Sequence, residues 1–486
     1  CVYEEQQMNK YRKRIFSFFL LMILLTISIS INCNKKRTNI NRKKQIILIS
    51  VDTLRADHLS CYGYSRDTSP ALSRLVEGAV CYTQAYPNGC WTIPSHVSLL
   101  TGTLPSRHGV NKTWQSIKQK QYPILNDSIK SISEIFKYYS LNTIKFAALP
   151  DELGFSRGFD INNRVDPFAN EKIFNKLLGQ LEEYKNKEFF LFIHTWQVHA
   201  PYSRSYFLKK EKADIEKRKY INNFREIFKK KKSKNIPADF LVFLKENNLY
   251  NVKDCIDLYD SGIHYVDGFI GRIIDKARQL NIYDDLFFIV VSDHGEHFAE
   301  HYRKKFYGYH GVDYFEEFIK VPLIIKYPDT NNPKKVSEPV SLVDVLPTIL
   351  DYYNMEIPDF VQGDSLLMPY LKRTRKYIVS EAIAEDKVEK KMIRVGDLKY
   401  IITMRNPSKP ERVNWDSIVR RRLYDLRNDP LEKNNLYRDL KFRQICIDFE
   451  KILINVVTNS AKIDFSINKT KISERTIKDL ESLGYL

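Results

Sequence analysis

The sequence predicts an α/β protein. It should hold a mostly parallel central sheet with helices on both faces, followed by a small C-terminal α+β subdomain with a short antiparallel sheet. Three observations carry this prediction. Short apolar runs rich in β-branched residues alternate with amphipathic segments, the pattern of strands buried on both faces and joined by helices. Several of these runs end on a carboxylate or an imidazole, where open α/β sheets collect their ligands. After about Lys372 the pattern changes to short strands separated by tight turns such as Gly396-Asp397.

The elements follow in order. Gln45 to Val51 (QIILISV) is a continuous apolar run that stops at Asp52, the mark of a buried parallel strand. Pro70 to Gly78 reads as a short helix capped by Ser69, and Ala79 to Ala85 as a second strand. Ser128 to Ser140 reads as a helix, with Ser131 and Glu134 at capping-box spacing. Thr143 to Leu149 is a strand, Glu171 to Tyr184 an amphipathic helix, and Glu188 to Thr195 another buried strand. Leu208 to Pro237 is a lysine-rich insertion, either a solvated helical face or a basic lid over the site. Asp254 to Gln279 is a long helix; Leu286 to Val291 is a strand running into Asp293-His294. Val321 to Lys326 is a strand and Ser341 to Tyr353 a helix. Tyr377 to Glu381, Met392 to Val395, Lys399 to Thr403 and Arg422 to Leu426 are the late strands. Helices near Leu431 to Val457 and Glu474 to Leu483 close the pattern.

The N-terminal order is basic then apolar: Lys10, Arg12, Lys13 and Arg14 precede Ile15 to Ile31. This is the order of a secretory signal. Cys33 at its end offers a lipid attachment point; an uncleaved signal anchor is the alternative. Residues 1–33 are therefore read as signal peptide or membrane anchor and 34–44 as linker. A catalytic body over 45–372 and a C-terminal subdomain over 373–486 follow. Both readings of the anchor place the body outside the cytoplasm, tethered to a membrane. The net charge of +18 is mostly scattered lysine, which biases the surface toward acidic ligands. No aromatic–basic RNA motif or DNA-reading helix is visible, so no nucleic-acid partner is expected. Seven cysteines without a C-x-x-C pair indicate neither a structural zinc site nor a dense disulfide framework.

The chemistry centres on Cys90-Trp91-Thr92-Ile93-Pro94-Ser95-His96, a loop turning into a helix. Thr92 reads as the N-cap and Pro94 fits the first turn. A hydroxyl there sits near unpaired N–H groups and the positive end of the helix dipole, a good place for an oxyanion. Asp52, Thr92, Asp293 and His294 come from distant parts of the chain, each at a strand end or helix start. Together they make a mixed oxygen and nitrogen shell for one divalent cation, Ca²⁺, Mn²⁺ or Zn²⁺.

The stretch continues Leu100-Thr101-Gly102-Thr103-Leu104-Pro105-Ser106-Arg107-His108-Gly109-Val110, and the whole resembles the sulfatase signature C/S-x-P-S-R, L-T-G, P-x-x-H-G-V. The resemblance extends from Gln45 to Leu486. Ser50 to Asp57 resembles the opening strand with its metal-binding Asp, although Thr53 stands where a second Asp often follows. The segment His194 to Tyr202 resembles the H-x-P-Y segment, Ser292 to Glu296 the metal-binding S-D-H/N-G, and His310-Gly311 the segment carrying a Lys or His. Leu423-Tyr424-Asp425-Leu426 and Asn428-Asp429-Pro430 resemble the C-terminal subdomain. The implied fold is that of the alkaline-phosphatase superfamily.

Two departures matter most: Thr92 holds the nucleophile position, and His96 stands where the family usually has Arg. Threonine has no route to formylglycine, so none is expected, and Cys90 lies two residues early. The resemblance thus implies a metal-dependent hydrolase cleaving a sulfuric or phosphoric ester through Thr92. His199 or His310 would protonate the leaving oxygen, and His96 would contact the transferred group or orient Thr92. The substrate would be a small or polymeric anionic ester, such as a sulfated or phosphorylated glycan or lipid head group. A phospho-head-group transferase and a catalytically silent anion-binding relative are the alternatives. His58, His108, His264 and His297 are read as packed or surface residues; His301, near the metal loop, is a weaker candidate.

Overall fold

The computed structural model describes residues 43–110, 121–209, 212, 214–223, 236–301, 308, 310–328, 333–385, 388–405, 415–461 and 469–471. Its strands are β1 (Gln45–Val51), β2 (Val80–Tyr86), β3 (Gln121–Pro123), β4 (Asn142–Phe146) and β5 (Ile161–Asn163). There follow β6 (Phe189–Thr195), β7 (Leu286–Val291), β8 (Val321–Lys326), β9 (Lys334–Val336) and β10 (Val340–Ser341). Nine of these ten form one sheet in the order β10-β2-β8-β7-β1-β6-β4-β5, with β9 beside β2. β8 runs antiparallel to both neighbours, and every other pairing described in this sheet is parallel.

β1 lies at the centre, and all seven of its residues are buried. Its alternating side chains enter two different cores. Ile46 and Leu48 face a core shared with the helices α2 (Thr92–Thr101), α3 (Ile132–Tyr138) and α6 (Val345–Tyr352). Ile47, Ile49 and Val51 face a second core shared with α1 (Pro70–Leu75), α4 (Glu171–Glu183) and α5 (Val252–Gln279). Burial on both faces explains why the strand reads as a continuous apolar run.

A second sheet, β11 (Ile378–Glu385), β12 (Val388–Val395), β13 (Leu398–Arg405) and β14 (Ile418–Asp425), is antiparallel throughout. Its core holds Val379, Ile393, Ile402 and Leu423 and is covered by Phe449 and Leu453 of α7 (Arg443–Ala461). A short β15 (Lys469–Lys471) pairs with β3.

Several local expectations change. Ser69 precedes α1 without a capping hydrogen bond. Asp267 of α5 takes its place, accepting from the Ala71 and Leu72 amides at 2.7 and 2.9 Å. The Ser131–Glu134 capping box is present, but the helix begins at Ile132 because Asn126 draws the Ser128 amide into a turn at 2.9 Å. The long late helix begins at Arg443, not near Leu431. Asn435 and Asp439 cap short 3₁₀ turns ahead of it, the local competition that such side chains offer a helix. The segment Ser341 to Tyr353 divides into the end of β10, a 3₁₀ turn and α6. Residues 1–42, with Cys33, and the expected helix from Glu474 to Leu483 lie outside the described residues. Among the described residues no helix is long and apolar enough to cross a membrane.

Leu48 is wholly buried in the central strand. Leu48→Ala should cost about 2–5 kcal/mol of stability, the range for truncating a buried leucine. Chemical denaturation of the two proteins measures it.

Candidate active site

The site forms where β6, β1 and β7 end side by side. Ser50 of β1 is in register with His194 of β6 and Val291 of β7. Asp52 follows β1 directly, and Asp293-His294 follows β7 two residues after Val291. Thr53 turns the chain with a left-handed φ of 59°. That turn aims its amide at Asp293 Oδ1, 3.4 Å away, while its hydroxyl donates to the Asp52 carbonyl at 2.7 Å.

Thr92 is the first residue of α2, and Trp91 holds the N-cap position without a side-chain cap. The expected capping role is therefore corrected. The Thr92 hydroxyl turns instead toward the strand ends, 3.2 Å from His294 Nε2 and 3.5 Å from Asp52 Oδ2. All ten residues of the helix are buried, and Gly102 ends it with a left-handed φ of 66°. Thr92 is thus held at the start of a fully packed helix.

His294 fixes the electronic character of the site. Its Nδ1 donates to the Gly295 carbonyl at 2.9 Å, which turns Nε2 toward Thr92 and the strand ends. That Nε2 lies 3.4 Å from Asp52 Oδ1 and 3.5 Å from Asp293 Oδ2. Both carboxylate oxygens are buried without a hydrogen bond. Two carboxylate oxygens and an imidazole nitrogen from wholly buried side chains therefore face one another, and burial of the two carboxylates is costly unless positive charge sits among them. Gly295 lets the loop turn here: a Cβ would lie 2.0 Å from the Glu317 carbonyl oxygen.

The donor atoms of Asp52, Asp293 and His294 lie within 4.8 Å of one another. Two carboxylate oxygens, one imidazole nitrogen and the Thr92 hydroxyl are a fitting set for a divalent cation. Burial opposes ionisation of Asp52, but the imidazoles of His194, His199 and His294 outweigh it and hold its carboxyl well below the usual range.

The remaining histidines surround this group. His96 is wholly buried one turn into α2. Its Nδ1 donates to the Thr92 carbonyl at 2.8 Å, so its Nε2 accepts from Ser50 Oγ at 2.9 Å. Burial lowers it to about 4 against the pull of Asp293, leaving it neutral near pH 7. His96 thus ties the helix start to β1, an orienting position rather than one exposed to a transferred group. His199 is likewise lowered to about 4 by burial, against the pull of Asp52. Its ring lies 4.8 Å from that of His310, which lies 4.8 Å from His294. His310 is raised: burial opposes protonation, and the charge and hydrogen bond of Glu296 override it.

Every residue named for the site from sequence is therefore in one cluster. Two others join it. His194 Nε2 lies 3.5 Å from Asp52 Oδ2, and Glu296 Oε1 lies 3.3 Å from His310 Nδ1. Their sequence signals are faint: His194 sits inside a strand buried on both faces, and Glu296 follows Gly295 as an ordinary loop acid. Cys90 packs in the apolar core beneath the loop, where burial pushes its thiol up to about 12.

Away from this cluster, His297, Glu300 and Glu317 also have metal-ligand spacing. Here the Ala299 amide donates to His297 Nε2 at 3.1 Å, which puts the proton on Nδ1, facing Glu300 at 3.1 Å and Glu317 at 3.3 Å. His301 adds a 2.7 Å contact to Glu317 and stacks on Phe315 at 3.6 Å. Protons already balance these carboxylates, so His297 and His301 are packed network residues.

Comparison with known proteins gives this geometry its context. The model of the sulfatase family matches residues 44–355, and that of N-sulphoglucosamine sulphohydrolase, C-terminal, matches 306–459. Arylsulfatase K of Bos taurus is 30% identical over 229 residues, covering 45% of this chain and 39% of that protein. An N-acetylglucosamine-6-O-sulfatase of Bacteroides thetaiotaomicron is 30% identical over 186 residues, 35% of this chain and 30% of that one. These matches span less than half the length of either relative. A solved 2-O GAG sulfatase superposes with a TM-score of 0.64 at 17% identity, covering 89% of this chain and 96% of that one, a likeness of fold. Because the family match spans more than half of the chain and takes in β1, α2 and β7 alike, this protein belongs to the sulfatase family.

Proposed function

We propose that this chain is a metal-dependent hydrolase that cleaves a sulfuric or phosphoric ester with Thr92 as nucleophile. One observation carries the proposal: the Thr92 hydroxyl lies 3.2 and 3.5 Å from His294 and Asp52, beside two buried carboxylate oxygens that make no hydrogen bond. Asp52, Thr92, Asp293 and His294 would hold the cation. Bound there, a divalent cation supplies Lewis acidity, lowering the pKa of a coordinated hydroxyl and neutralising charge on ester oxygens. The imidazole in the set suits Zn²⁺, while the carboxylate and hydroxyl oxygens suit Ca²⁺ or Mn²⁺.

The protein's own groups supply the rest. Thr92 Oγ1 forms a bond to phosphorus or sulfur as the bond to the leaving oxygen breaks. His199 and His310 stand beside the cluster to return a proton to that oxygen. His96 keeps the helix start in place through the Thr92 carbonyl. Water then opens the threonine ester. Threonine lacks the aldehyde hydrate through which formylglycine expels sulfate, which favours phosphorus. The names of the relatives favour a sulfated glycan, and both substrates share an anionic ester. The basic-then-apolar order of residues 10–31 supports an extracytoplasmic, membrane-tethered location, and mass spectrometry of the native chain would detect acyl groups on Cys33.

Thr92→Ala should lower turnover by several orders of magnitude, as loss of a covalent nucleophile does, with melting temperature unchanged. Thr92→Ser should keep part of the activity, and Cys90→Ala most of it. Formylglycine at Cys90 together with an inactive Cys90→Ala protein would move the nucleophile to Cys90. A phosphate ester should turn over faster than the sulfate ester of the same alcohol; the reverse order marks a sulfatase in the strict sense. Gly295→Ala should displace His294 and lower metal content, read by elemental analysis of the purified protein.

A further inference from the structure

The imidazoles beside the cluster are not equivalent. His199 directs Nδ1 to the carbonyl of its own neighbour, Ala200, at 2.5 Å. His310 directs Nδ1 to a carboxylate, Glu296 Oε1, at 3.3 Å. A carboxylate behind one ring nitrogen orients the ring and stabilises the charged form at the moment a proton moves through the other. Glu296 is suited to hold such a position. It is wholly buried, and its backbone carbonyl accepts from Arg55 Nη1 at 2.9 Å. Arg55 is itself anchored by Asp57 and Glu300 at 2.8 and 2.6 Å. The His310 backbone is packed as well. Gly311 follows it with a left-handed φ of 79°, and a Cβ there would lie 3.4 Å from Trp91 Cβ. Both ends of the Glu296–His310 pair are therefore tied to the segments that carry Asp52 and Thr92.

We infer that Glu296 is a positioning residue that holds His310 as the proton donor to the leaving-group oxygen. The inference rests on the Thr92 reading of the site. In the step it describes, the Thr92 oxygen bonds to phosphorus or sulfur and the hydroxyl proton passes to solvent. The bond to the leaving oxygen breaks with its electron pair on that oxygen, and His310 Nε2 delivers a proton there. His310 ends neutral, and Glu296 stays ionised throughout.

A series of esters with leaving groups from 4-nitrophenol through phenol to a simple alcohol tests this, on the full chain loaded with Mn²⁺ or Zn²⁺. An acid matters most where the leaving oxygen is most basic. Glu296→Gln should lower kcat about 10²-fold on the alkyl ester and less than threefold on the 4-nitrophenyl ester. His310→Ala should show the same slope, larger in size, and the double variant should be no worse than His310→Ala alone. Glu296→Asp should recover part of the loss. A loss of equal size across the series, or losses that multiply in the double variant, would overturn the assignment. If Glu296→Gln does not fold, His310→Ala decides: an equal loss on every ester overturns it. A wild-type protein inactive on all the esters would instead count against the Thr92 reading, which separates the two failures.

Discussion

The structure depends on a conflict of like charge. Asp52 and Asp293 end adjacent parallel strands, β1 and β7, and both are wholly buried. His294 turns Nε2 to the same point because its other nitrogen is committed to the Gly295 carbonyl. Two buried carboxylates facing one another are unfavourable on their own, and their proximity has to be imposed by the rest of the fold. The sheet imposes it. β1 is buried on both faces by separate cores, so neither strand end can move without opening apolar contacts on one side or the other. The stability of the sheet thus holds this arrangement of buried charge in place.

Around that arrangement the protein places groups of graded polarity. His96 is neutral and structural, linking α2 to β1. His199 is neutral and beside the cluster, while His310 is backed by a carboxylate. The neighbouring His297–His301 network shows the contrast. It has similar residue types, yet protons between its histidines and glutamates settle the charge, and nothing further is required. Residue composition alone does not separate the two groups; the direction in which each ring nitrogen points does.

Much of this was legible in the sequence. β7 and β8 run where their apolar spans end, Leu286 to Val291 and Val321 to Lys326, because strands buried on both faces announce themselves without any periodicity. Asp52, Asp293 and His294 could be named because each stands where an apolar run stops, and Thr92 because it stands where a loop turns into a helix. Three things were not legible. Thr92 resembles an N-cap, and only the position of Trp91 shows that its hydroxyl is released from that duty. His194 is hidden within a wholly buried strand, where the order of neighbouring strands, not the local sequence, brings it to Asp52. Glu296 lies only two residues after His294, but its partner His310 is fourteen residues further on, and no local pattern pairs them.

The single reversed strand has a geometric consequence. β8 separates β2 from β7, so β2 ends three strand positions from β1. At about 4.8 Å per position, that is a lateral gap of about 14 Å. Residues 87–91 connect the end of β2 to Thr92. The six steps from Tyr86 to Thr92 reach about 20 Å when extended, and residues 88–91 bend instead. The connection is therefore longer than the gap, and packing holds it: residues 87–91 are all buried. It delivers the hydroxyl to the carboxylates through a buried, bent crossing, so the packing of this short segment matters as much as the residue at its end.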